Sequence, residues 1–100
     1  MSKITRRYVI VLAVSHYDYE QMDAAIEWIS ATNKPDTWSR WSFFFADYWC
    51  EQIQVDTQSQ QARINLYANL CNIESYNSVS EFELKNPNRY PFIDGIQNET

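Results

Sequence analysis

Glycine is almost missing from this sequence: Gly95 is the single one in 100 residues. Loops that cradle phosphates need several glycines so that backbone N–H groups can approach the ligand. Walker-type, dinucleotide-binding and nucleophile-elbow chemistry are therefore disfavoured. Cysteine is scarce too. Cys50 and Cys71 are too few for a zinc quartet or a disulfide framework, and read as reduced, partly buried thiols rather than as one bridge. His16 is the sole histidine, and no spacing pairs it with either thiol as a nucleophilic couple.

Positive charge is also in short supply. Eight Lys and Arg against 13 Asp and Glu leave a net charge of −5. Among the bases only Lys3, Arg6 and Arg7 group together. A general nucleic-acid binder needs a basic face that displaces counterions, so no direct nucleic-acid binding is expected. No apolar run is long enough to span a bilayer. The start, MSKITRRYVIVLAVS, imitates a signal peptide, but its short, β-branched apolar run reads better as a buried strand. The expectation is a soluble, cytoplasmic protein with no membrane partner.

Apolar and aromatic residues, by contrast, are abundant at 45% and 16% of the chain, ample for a packed core. The length suits one α+β domain over residues 1–100, with 86–100 an irregular tail that holds two prolines and the glycine. YVIVLAV is apolar at every position, as in a strand buried on both faces. Asp18 and Gln21 then have capping-box spacing, and the periodicity predicts a helix ending at 33–35. Tyr19, Met22, Ala25, Ile26 and Ile29 share one side of it, with Glu20, Asp23 and Glu27 as a stripe beside them. Trp28 lies off the apolar side.

WSRWSFFFADYWC, residues 38–50, fits a helix or a strand. Read as a strand, Trp41, Phe43 and Phe45 line one face, and Phe44, Ala46 and Tyr48 the other. Most of its rings should point inward, with Trp38 and Trp41 able to surface. EQIQVDT alternates as a short strand. Thr57 and Gln60 have capping-box spacing, which with the length favours a helix over 58–73 that gathers Asn65, Asn69 and Asn72; read as a strand, the stretch turns Ala62, Ile64, Leu66, Ala68 and Leu70 inward. SVSEFELKN alternates as a last strand with Phe82 and Leu84 inward. This βαββαβ order is ferredoxin-like; its rival packs helices at 37–51 and 58–73 on a small sheet.

Asp18, Glu20, Asp23 and Glu27 read as a charged docking stripe. They lack the glycine turn of a calcium loop and the nitrogen or sulfur that zinc prefers. No cofactor, no metal and no catalytic residue is assigned. The expectation is a non-enzymatic, acidic protein-binding module that docks on a basic, nucleic-acid-handling protein, with Trp28, Trp38 and Trp41 as anchors. Inhibitors fit this description: phage anti-defence (anti-CRISPR-like) or toxin-immunity proteins, monomeric or homodimeric. One alternative is a homodimeric ferredoxin-like small-ligand binder or enzyme using His16 or a tyrosine. Another is a structural or assembly subunit.

Overall fold

The computed structural model describes residues 8–15, 18–45 and 47–86. Tyr8–Ser15 forms β1, Tyr19–Thr32 α1, Trp38–Phe45 β2, Tyr48–Val55 β3, Gln58–Leu70 α2, Glu74–Tyr76 β4 and Val79–Lys85 α3. A short 3-10 turn, Pro35–Thr37, leads into β2. The four strands form one antiparallel sheet in the order β2-β3-β1-β4. The domain is thus α+β, and α3 follows its βαββαβ series.

β1 is buried on both faces, as its uninterrupted apolar sequence requires. Ile10, Leu12 and Val14 pack with Ile53 and Val55 beneath Met22, Ala25 and Ile29 of α1 and Ile64 and Ala68 of α2. Val11 and Ala13 point the other way, to Phe45, Tyr48, Cys50 and the fully buried Phe82 of α3. Period-two alternation therefore divides the molecule into two cores that share β1 as their wall.

Residues 38–50 supply an edge strand and the first three residues of the strand paired with it, not a helix. Phe45 pairs with Tyr48, so β2 and β3 form a tight hairpin, with Phe44 opposite Trp49 and Ser42 opposite Glu51. The exposure of Trp41 agrees with the expectation that it could surface, whereas that of Phe44 departs from the expected inward packing. Phe45 and Tyr48 are buried, whereas Trp41 and Phe44, on opposite faces, are 63% and 62% exposed. β2 is an edge, and neither helix layer reaches far enough to cover both of its faces.

Two elements fall elsewhere than the sequence suggested. α2 stops at Leu70, because Asn72 turns left-handed (φ 62°) and Ile73 donates its N–H back to the Ala68 carbonyl at 2.9 Å. The chain then enters β4 at Glu74, just beyond the expected helix end at 73. SVSEFELKN forms α3 rather than a strand. Ser78 Oγ accepts from Glu81 N–H at 3.0 Å, while Glu81 accepts from Asn77 N–H at 2.9 Å, a helix start of capping-box type. In a helix, residues 82 and 84 are some 200° apart; Phe82 is buried and Leu84 is 79% exposed. Asp18 makes no side-chain cap on α1 and instead accepts from Ser15 Oγ at 3.2 Å. Thr57 does cap α2, taking Gln60 N–H at 3.1 Å.

Buried polar groups join the ends of these elements. Gln60 Nε2 donates to Asn33 Oδ1 at 2.6 Å, and Asn33 Nδ2 donates to the Ile29 carbonyl at 3.0 Å. One amide pair thereby holds the end of α1 against the start of α2. Residues 87–100, most of the expected tail, and His16 lie outside the described residues.

Candidate functional site

β2 and β3 are in register, so every second side chain of the hairpin faces α1: Arg40, Ser42 and Phe44 from one strand, Trp49 and Glu51 from the other. α1 crosses above them. Helical spacing puts Tyr19 and Asp23, one turn apart, on the flank nearest β2. Together Tyr19, Asp23, Ser42, Phe44 and Trp49 line an open cleft of about 340 Å³. Tyr19 meets Trp49 edge-on, with centroids 5.8 Å apart and planes at 67°. Phe44 lies nearly parallel to Trp49, 6.5 Å away and inclined by 18°. Tyr19 and Phe44 are both more than half exposed.

Beneath this cleft sits a carboxylate that no water reaches. Glu51 is 0% exposed. Its Oε2 accepts from Ser42 Oγ at 2.7 Å and from Trp49 Nε1 at 2.9 Å. Its Oε1 faces Arg40 Nε at 3.3 Å as an ion pair, but takes no aligned hydrogen bond. A buried charge is tolerated only when paired and hydrogen-bonded. Three neighbours on the same hairpin face supply that compensation, and in doing so fix the Ser42 and Trp49 side chains that form the cleft floor.

The acidic residues continue from this cleft over the outside of α1. Asp18, Glu20, Asp23 and Glu27 are all exposed. Asp18 and Glu20 line a second hollow together with Tyr19 and Gln21. Among the described residues, no lysine or arginine pairs with Glu20, Asp23 or Glu27.

The tryptophans expected beside this stripe are dispersed. Trp28 lies on the opposite flank of α1, half-buried, stacked on Tyr67 of α2 at 4.2 Å with planes 6° apart. Trp38 is half-buried against the helix-side core. Trp41 is exposed, but on the α3 side of the sheet, tilted against Phe43 at 5.8 Å. Tyr19, Ser42, Phe44, Trp49 and Glu51 were not among the expected site residues; Tyr19 and Phe44 read there only as packing residues. Pairing Phe45 with Tyr48 would have found them, since that register sets Phe44 opposite Trp49 and Ser42 opposite Glu51.

The thiols stand apart from the cleft. Burial first, then the Glu74 and Glu51 carboxylates, push Cys50 up to about 12, so it stays a neutral thiol on the α3 side of the sheet. Among the described residues, no three His, Cys, Asp or Glu side chains come together as a metal-holding group, and no helix is long and apolar enough to cross a membrane. Comparison with protein-family models, curated proteins and solved structures gives no match to this chain.

Proposed function

We propose that this chain is a non-enzymatic protein-binding module that docks on a basic surface of another protein through the outer face of α1 and the adjoining cleft. The observation that carries the reading is the exposure of Glu20, Asp23 and Glu27, without a described cation opposite them, directly beside the exposed rings of Tyr19 and Phe44. Carboxylates gathered on one face accelerate encounter with a positive surface and select against acidic partners. Rings at the centre of the contact supply the area that holds it. A surface of this kind competes with phosphates for the same lysines and arginines. An inhibitor of a nucleic-acid-handling protein, of the phage anti-defence or toxin-immunity kind, is the role that fits it.

Affinity purification of the tagged chain from its native host tests this, comparing wild type with a Glu20→Lys, Asp23→Lys, Glu27→Lys triple variant. All three positions are exposed, so the variant keeps its fold, as circular dichroism will verify. The expected result is loss of the partner recovered by wild type; undiminished recovery refutes the docking face. A second reading, a homodimer paired through the α3 side of the sheet, draws support from Trp41, 63% exposed on an edge strand. Native mass spectrometry decides it: a dimer that Trp41→Ser dissolves supports this reading, and a monomer at all concentrations removes it.

A further inference from the structure

We infer that the cleft between α1 and the β2–β3 hairpin is a guanidinium site, built to receive one arginine side chain of the partner. The inference rests on the docking reading above and names the group that enters the cleft.

The walls define the chemistry. Tyr19, Phe44 and Trp49 present ring surface to an open space of about 340 Å³, and ring faces attract cations. Asp23 stands at the rim as an exposed carboxylate. Ser42 also lines the cleft, and its Oγ, a donor to Glu51, keeps acceptor capacity. Below lies Glu51, charge-paired through Oε1 to Arg40 but without an aligned hydrogen bond there. The site therefore offers π-faces, acceptors and negative charge. Arg40 already answers the Glu51 charge, but an anion would still meet the Asp23 carboxylate and the ring faces, which disfavour it.

Among cations, the walls favour a flat and weakly hydrated one. An ammonium is a compact, strongly hydrated point charge that loses much by entering a ring-lined space. A guanidinium is planar, stacks on aromatic faces and offers two parallel N–H donors to a carboxylate such as Asp23. Arg40 already sets one guanidinium against a carboxylate on this face of the hairpin, its Nε 3.3 Å from Glu51 Oε1. The partner's arginine would sit one layer above, with the hairpin's own acid–base pair holding the floor in place.

The test is an NMR titration of the isotope-labelled full chain with N-acetyl-arginine N-methylamide, alongside the corresponding lysine and trimethyllysine compounds. The indole N–H of Trp49, held by Glu51, reports on the cleft floor; those of Trp28 and Trp38 report on other regions. The expected result is a saturable shift at Trp49, Ser42 and Asp23 that is strongest for arginine. Phe44→Ala and Asp23→Asn should each weaken it by roughly two- to fivefold. Glu83→Gln, an equal change of charge on α3, should leave it unchanged.

Equal response to lysine would reduce the site to plain charge attraction and overturn the inference. So would preference for trimethyllysine, absence of saturation, or indifference to Phe44→Ala. The spectrum of each variant shows directly whether it is folded. The two proposals also fail separately. A cleft that ignores arginine in a chain whose lysine triple variant loses its partner refutes the guanidinium site alone. A cleft that takes arginine while that triple variant still holds the partner refutes the docking face alone.

Discussion

Removing a carboxylate from water is expensive, and Glu51 is fully buried with its charge answered by Arg40, Ser42 and Trp49. The ion pair and the hydrogen bonds contribute differently, and substitutions separate them. Arg40→Leu leaves the buried acid without its cation and should cost about 1–3 kcal/mol, read from the urea midpoint. Adding Glu51→Met should recover much of that loss, because an apolar pair avoids desolvating charge altogether. A double variant less stable than the single one would mean that the carboxylate's own hydrogen bonds outweigh the ion pair. Cys50 makes the opposite case, a group kept neutral by its surroundings. Its thiol titrates near 12 in the folded chain against an ordinary 9.0. The folded state thus keeps a proton that the unfolded chain releases, and stability must fall as pH rises from about 9 toward about 12. Cys50→Ala should flatten that alkaline decline in melting temperature. At neutral pH, a thiol reagent should modify half-buried Cys71 well before Cys50.

Where an element ends can matter more than how it begins. Asn72 closes α2 in the left-handed region, a place usually taken by glycine. Asn72→Gly should leave stability unchanged or raise it slightly, whereas Asn72→Val should lower the urea-derived stability by about 1–2 kcal/mol through its branched Cβ. Equal behaviour of the two would show that the backbone there relaxes freely. This stop signal also explains part of what the sequence concealed. β1 and α1 were legible, because seven consecutive apolar residues and a clean 3.6 period leave little choice. β4 was not. Its three residues carry no alternation, and a chain so poor in glycine marks its helix end with an asparagine that fits equally well on a helix face. α3 hid behind Phe82 and Leu84, whose alternation imitates a strand, although Ser78 and Glu81 carried the capping-box spacing. The cleft was concealed for a third reason. Asp23 was legible from the helix pattern, but its companions Ser42, Phe44 and Trp49 depend on the hairpin register. A turn with neither glycine nor proline does not announce that register.

At the level of the whole molecule, the net charge of −5 is spread unevenly, with Glu20, Asp23 and Glu27 exposed along one helix. Docking driven by such a face is screened once the Debye length falls from about 10 Å at 0.1 M salt to about 3 Å at 1 M. The association rate with the partner should therefore fall steeply with added salt while the dissociation rate changes little, as surface plasmon resonance would measure. A rate indifferent to salt would assign the contact to its rings alone. β1 is also a partition. Among the described residues, α1, α2 and the cleft lie on one side and α3, anchored by Phe82, on the other. The α3 side is therefore a natural handle. A dye, a surface tether or a fused domain attached at exposed Leu84 would leave the opposite side of the molecule unobstructed, and a sensor for arginine-bearing partners could be assembled on that plan.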